Sequence, residues 1–463
     1  MKKLILFLAV LLGLAEPVSE LPKADLKTWT HNIAETIKIA FVYQDDIDEI
    51  ELPVRYDYRE NGRQSIIKDQ SDVKTCWSMA STSALETSVR PQSNAVFSAD
   101  HLIHNNPYGT ETDNGGNYCM SMAYFLGWKG PVSEEDDPYG DDFSPEGLSS
   151  IFHVQDICML DRYDYTRLWE LDPTEDAAEI AEGLDRMRSD IKKMVYRYGA
   201  VETGIHFDME DPLAGSDSYN YETNAYYYTG DEPENHEVIV IGWDDDYPAG
   251  NFLVPPEGNG AYICQNSWGE RFGENGVFYV SYYDESICNV CICYTGVEGS
   301  DNYDNIYQYD ECGWTGQLGY GDEPAYFANV YTAEKNEEVL SCGFYSMGSE
   351  SEYSIFFVHD FSDESDLKTV EPVACGKLSQ RGYHTIPFNI SKEVYAGERF
   401  AVIVKIKTED CTNPVAAEII SDSSGVLVDI NGTGYISANG ETWENTESDQ
   451  NCDLCLKVYT VNR

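Results

Sequence analysis

Ser65-Ile-Ile-Lys-Asp-Gln70-Ser-Asp-Val-Lys-Thr-Cys76-Trp77-Ser-Met-Ala80 is the stretch on which the fold turns. A loop of small and polar residues runs into Cys76 to Val89, where apolar residues recur at helical spacing. Cys76 therefore falls at a helix start, where unpaired backbone N–H groups and the helix dipole favour an anion. Such a position lowers a thiol pKa, and the thiolate is the nucleophile. Taken alone the signal is weak, because an unpaired cysteine is usually a small buried hydrophobe.

Two later segments change its weight. Asn235-His236-Glu-Val-Ile-Val-Ile-Gly-Trp243 sets a histidine at the mouth of an apolar strand. Ala261-Tyr-Ile-Cys-Gln-Asn266-Ser-Trp268-Gly269 ends another strand with an asparagine and an indole. A cysteine, a histidine and an asparagine on separate elements are the parts of thiol acyl transfer.

With these segments the chain resembles the papain family of cysteine peptidases. Leu52-Pro53 and Tyr56-Asp57-Tyr58-Arg59 are similar to the start of the mature family domain, and Cys76-Trp77 to the nucleophile and its aromatic neighbour. Gln70 matches the oxyanion-hole glutamine, and Asp113-Asn114-Gly115-Gly116 resembles the glycine strip along the substrate backbone. His236, Asn266 and Ser267-Trp268-Gly269 match the remaining motif. The resemblance implies Cys76 as nucleophile, His236 as general acid/base, Asn266 as its orienter and Gln70 as oxyanion donor. Gly115, Gly116, Trp268 and Glu237 are the substrate-binding candidates. No cofactor or metal is implied, and the partners are protein or peptide substrates.

Departures from the family pattern are specific. His236 and Asn266 lie farther from Cys76 than the roughly 130–150 residues usual in the family. The acidic, Tyr-rich stretches 134–175 and 208–234 supply the extra length. Val73-Lys74-Thr75 precedes Cys76 where the family has C-G-S, and Asp113 stands where the partner of that missing cysteine would be. Lys74 either lends charge to Cys76 or points to water. Glu237 either selects a basic side chain at the second residue before the scissile bond or is merely solvated. His101, His104 and His206 read as structural, and Asp244-Asp245-Asp246 as a solvated turn rather than a Ca²⁺ loop, there being no EF-hand spacing.

The remainder of the 463 residues bounds the class. Against 82 acidic side chains stand 30 Lys and Arg, a formal net charge of −52 that disfavours nucleic-acid binding. Residues 1–16 read as a signal peptide and 17–50 as a leader or linker with a helical patch near Asn32–Ala40. No later stretch reaches the roughly 18 apolar residues that span a bilayer. An exported protein is expected, secreted or held at the cell surface. Thirteen cysteines then fit disulfides or buried thiols better than zinc. Residues 51–298 are expected to form the peptidase domain, with Glu175 to Tyr198 helical and Val238–Trp243, Ala261–Gln265 and Val277–Tyr283 as strands.

Beyond Gly299 helical periodicity gives way to short β-rich segments, among them Ala325–Tyr331, Glu338–Tyr345, Tyr353–Val358, Arg399–Ile406, Val415–Ile420 and Asp453–Val461. Residues 299–463, with Ile306-Tyr-Gln-Tyr-Asp-Glu-Cys312-Gly-Trp314, resemble a bacterial lectin-like β domain, so a carbohydrate ligand is a further possible partner. The expected fold class is α+β: a two-lobed papain-like catalytic domain, one lobe helical and one β-barrel-like, followed by an all-β sandwich or jelly roll. The competing reading is a glycan-binding surface adhesin with a vestigial peptidase domain. The intact Cys, His, Asn and Gln set argues against it.

Overall fold

The computed structural model describes residues 50–109, 114–140, 143–167, 171–173, 175–209, 215–419 and 430–463. The expected signal peptide and, apart from Ile50, the leader lie outside the described residues, as does Asp113. The structure is α+β, with a helix-and-sheet half followed by a β-rich half.

The first half opens with β1 (Arg55–Asp57) and α1 (Tyr58–Asn61). Helices α2 (Cys76–Val89), α3 (Ala99–Asn105) and α4 (Tyr118–Leu126) build the helical lobe. Then follow β2 (Phe152–Asp161), α5 (Arg162–Thr166), α6 (Ala177–Arg197) and β3 (Val201–Ile205). The hairpin β4 (Tyr219–Asn220) and β5 (Ala225–Tyr226) precedes β6 (His236–Asp244), β7 (Ala261–Gln265), β8 (Val277–Ser281) and β9 (Val290–Gly299).

Helix α2 is buried almost throughout, which explains its composition. Ser78, Ser81 and Thr82 return their hydroxyls to carbonyls three or four residues back, so these hydroxyls sit in the core with partners. Glu86, fully buried, is paired with Lys68 at 2.9 Å. Helix α6 is amphipathic instead, turning Met187, Ile191, Met194 and Val195 inward.

In the β-rich half the strands are β10 (Asn305–Tyr307), β11 (Gly316–Leu318), β12 (Ala325–Thr332), β13 (Glu337–Ser346), β14 (Ser351–Val358) and β15 (Ala374–Leu378). They continue with β16 (Gly382–Val394), β17 (Arg399–Thr408), β18 (Val415–Ile419), β19 (Gly434–Ser437) and β20 (Glu444–Asn445). Helix α7 (Thr446–Gln450), β21 (Cys452–Leu454) and β22 (Leu456–Asn462) end the chain. The layer β15-β14-β17-β12-β19-β20 packs on the layer β10-β22-β13-β16. Phe327, Ile355, Val402 and Val404 from one meet Phe344, Ile386, Leu456 and Val458 from the other. This is a sandwich with alternating inward side chains.

One feature was not expected from the sequence: the two halves share a sheet. Gly382 and Tyr383 at the head of β16 pair with Cys158 and Ile157 of β2, so a single sheet runs from β10 to β4. Gly382 has φ +145, and a Cβ there would lie 1.9 Å from the Ile157 carbonyl oxygen. Only glycine fits. Arg381 beside it binds Asp161 at 2.8 Å and Asp164 at 3.3 Å, and lies over the Trp314 ring. Trp314 therefore packs at the junction rather than standing free.

All thirteen cysteines are unpaired thiols and most of them are buried, so of the two expectations, disulfides or buried thiols, the structure favours the second. The solvated-turn reading of residues 244–246 is also corrected in part, since Asp245 is held by Lys192 and by the Tyr282 hydroxyl. Among the described residues, no helix is long and apolar enough to cross a membrane.

Candidate active site

Cys76 is the first residue of α2, and Thr75 at the N-cap makes no side-chain cap bond. Thr75 Oγ1 instead meets the Tyr139 hydroxyl at 2.8 Å, leaving the helix start open to an anion. The Cys76 thiol accepts the backbone N–H of Glu237, the residue after His236, as well as those of Cys76 and Trp77. Burial nevertheless outweighs these donors and pushes the thiol above its ordinary range.

His236 begins β6, and its Nε2 lies 2.7 Å from Asn266 Oδ1, just beyond the end of β7. The register shift between Val240 and Gly242 in the β6–β7 pair sets this alignment. Asn266 Oδ1 also accepts the Ser267 N–H at 2.7 Å, which fixes the amide. Burial lowers His236 to about 4, partly opposed by the Asn266 bond.

Aromatic rings enclose the imidazole. Trp268 has its centroid 5.0 Å from His236, and Phe207 lies 5.7 Å away. Phe272 closes the box behind Trp268 at 5.2 Å. Phe207 was legible only as a neighbour of His206, which itself stacks on Tyr228 and contacts Pro233 O at 2.8 Å. His101 bonds the Tyr124 hydroxyl at 2.7 Å, and His104 lies 3.5 Å from Asp100, so these two serve α3.

Gln70 is locked from both ends. Its Oε1 accepts from Ser267 Oγ at 2.7 Å, while Nε2 donates to Val73 O at 2.8 Å. The backbone N–H of Gln70 reaches Ser267 O at 2.8 Å, tying this loop to the Asn266 turn. Gly116 lies against the Trp77 indole, where a Cβ would sit 2.4 Å from the ring, and Gly115 has φ +74. Gly116 is thus required by packing and Gly115 by its left-handed backbone. Lys74 is exposed.

Glu237 does not behave as a solvated glutamate. Its Oε2 is buried without a partner, and burial together with Glu202, Cys76 and Glu234 raises the carboxyl well above the usual range. Glu202 is not marked by the sequence, because β3 reads Val-Glu-Thr-Gly-Ile with no apolar run around it. The structure thus brings Cys76, His236, Asn266, Gln70, Trp268 and Glu237 into one locale at the meeting of α2 with β6.

Residues 52–296 match the family model described as papain family cysteine protease, and residues 306–460 match that of the lectin-like domain. Cathepsin S from Bos taurus is 24% identical over 253 residues, 54% of this chain and 65% of the relative. Cathepsin K from Gallus gallus is 25% identical over 244 residues, 51% of this chain and 61% of the relative. The chain thus spans less than two thirds of these relatives' length. The clostridial cysteine protease Cwp84 after propeptide cleavage superposes with a TM-score of 0.73 at 22% identity, over 88% of this chain and 99% of the other. The cysteine protease and lectin-like domains of Cwp84, a surface layer associated protein of Clostridium difficile, give 0.73 at 22% identity over 89% and 90%. At that identity the likeness is one of fold.

Proposed function

Because the chain belongs to the papain family of cysteine proteases, we propose that it is an exported cysteine endopeptidase acting on protein or peptide substrates. Cys76 is the nucleophile, His236 the general acid/base, Asn266 the orienter and Gln70 the oxyanion donor. The observation that supports this reading is the His236–Asn266 bond of 2.7 Å at the head of β6, where the next residue, Glu237, turns its backbone N–H toward the Cys76 thiol at the start of α2.

Burial disfavours a lone thiolate and a lone imidazolium alike. The two charges form together, as the thiol proton passes to the imidazole. The sulfur then attacks the peptide carbonyl carbon, forming a C–S bond, and the carbonyl oxygen takes the electron pair. The Cys76 backbone N–H and the second Nε2 hydrogen of Gln70 donate to that oxyanion. Collapse breaks the C–N bond while His236 protonates the leaving amine. Water, deprotonated by His236, hydrolyses the thioester and restores the thiol. Trp268, Phe207 and Phe272 keep solvent from the His236–Asn266 bond.

Gly115 and Gly116 line the substrate backbone. The Glu237 carboxyl, buried at Oε2 and raised well above the usual range, stays uncharged and does not supply the negative charge that a preference for a basic side chain at the second residue before the scissile bond would need. Similar cleavage of arginyl and leucyl peptides at that position is the expected result. Residues 51–298 act as the peptidase domain, and residues 299–463 as a lectin-like domain with carbohydrate as its ligand class. Reaction with an epoxide thiol probe, located by mass spectrometry, tests the whole reading. Labelling at Cys76 with loss of peptide hydrolysis is the expected result. An unreactive Cys76 combined with tight glycan-array binding would replace the peptidase with the adhesin.

A further inference from the structure

Two buried carboxyls lie beneath Cys76 that the proposed chemistry does not use. Glu202 of β3 stands opposite Ile239, and Gly204 opposite Glu237, so Glu202 and Glu237 are diagonal neighbours on one face of the sheet. That face packs on α2. Ser81 Oγ lies 2.6 Å from Glu202 Oε1, and the Tyr294 hydroxyl 3.1 Å from Oε2. Glu202 is fully buried, and Glu237 Oε2 is buried with no partner.

The groups facing this pair offer no cation. From α2 come Cys76 and Ser81; from α4 come Tyr118, Cys119 and Ser121. Tyr294 faces it from β9, and Glu234 from the loop ahead of β6. Arg381, across the junction, acts on Tyr118 and Cys119. Among the described residues neither Glu202 nor Glu237 forms an ion pair, and ionisation of one diagonal neighbour on this buried face opposes ionisation of the other.

The link to the nucleophile is direct: Glu237 gives its backbone N–H to the Cys76 sulfur and carries one of the two acids. We propose that Glu202 and Glu237 are positioning residues forming a proton-holding pair, whose protons must be in place for the Cys76 sulfur to carry negative charge readily. Ionisation of the pair puts a like charge beside the sulfur and returns it toward the neutral thiol. Burial raises Glu202 to about 7, so that charge arrives in the neutral range. The inference rests on the reading of Cys76 as the nucleophile.

Alkylation of Cys76 by iodoacetamide, followed by mass spectrometry at pH 5 and pH 8, reads the thiolate without requiring peptide hydrolysis. In Glu202→Gln the ratio of the pH 8 to the pH 5 rate is expected to rise about fivefold, the size of a shift of under one pKa unit. Ser81→Ala removes a donor that favours ionised Glu202 and is expected to raise the ratio about twofold. Glu202→Asp keeps the carboxyl and restores the wild-type ratio. A purely structural role would lower both rates together and leave the ratio alone. An unchanged ratio in Ser81→Ala and in any folded Glu202→Gln protein overturns the proposal. Absent peptide hydrolysis with the ratio still responding counts against the peptidase reading alone.

Discussion

Two interiors in this protein are made of different material. Between the layers of the β-rich half, Phe327, Phe344, Ile355, Val402, Leu456 and Val458 form a mainly apolar contact, with the Asn329 amide bonded to the Tyr331 hydroxyl and the Leu454 and Leu456 carbonyls beside them. Beneath Cys76, the space between α2 and the sheet holds Ser81, Ser121, Glu202, Tyr294 and part of Glu237. Apolar burial is non-directional and tolerates variation as long as volume is kept. A buried polar group costs stability unless it is bonded, and when bonded it fixes atoms in one place. The β-rich half spends its interior on cohesion, whereas the first half gives up cohesion for placement around one sulfur. The β-rich half buries charged residues at its margins as well: Lys457 pairs with Asp310 at 2.7 Å, while Glu337, Glu418 and Asp453 accept from hydroxyl or backbone N–H donors.

The sharpest way to test this contrast is to remove the sulfur. Cys76→Ala is expected to lower peptide hydrolysis at least about 10³-fold while the melting temperature hardly moves. Retained hydrolysis would erase the distinction between the two interiors. Gly382→Val attacks the sheet they share. With a Cβ directed at the Ile157 carbonyl, it is expected to cost about 4 kcal/mol in urea unfolding and to destabilise both halves together. A loss confined to the β-rich half would mean that the junction is not cohesive.

Gln70→Ala is a smaller perturbation, expected to reduce kcat about 10²-fold with KM little changed, as loss of one oxyanion donor does. Arg381→Ala leaves Asp161 with the Tyr163 N–H but without its cation and is expected to lower stability by about 1–2 kcal/mol, read by denaturant titration.

The mildest effect lies in the pH dependence of stability. The Glu202 carboxyl is raised in the fold to about 7, so its contribution is complete below the unfolded value near 4.5 and is lost as pH rises through 7. His236 is lowered to about 4, so its contribution is complete above about 6.5 and is lost as pH falls through 4. Glu202→Gln is therefore expected to flatten the decline in melting temperature between pH 5 and pH 8, and to leave the acid side as it was. A decline of unchanged slope would remove Glu202 from the account.

Much of this is legible in the sequence. The boundaries of α2 and β7 follow from periodicity and from the polar residues around them, and the strands β12, β14 and β17 from alternation between turn residues. The reactive set was legible because cysteine, histidine, asparagine and glutamine carried their motif neighbours with them. Strand β2 was not, because it lies in an acidic, Tyr-rich stretch that reads as inserted loop. Strand β16 was missed because its apolar residues are broken by Pro387, Asn389, Ser391 and Lys392. Glu202 was passed over because single-residue composition cannot say which face of a strand is buried.

The sequence by itself determined which chemical groups the molecule possesses and the order in which helix, strand and turn occur, since both depend on short-range propensity and spacing. Only the tertiary structure decided which distant groups meet: Glu202 with Glu237, Gly382 with Ile157, Arg381 with Asp161. Those meetings are set by strand pairing and packing between segments far apart in the chain, where local pattern carries no information about register.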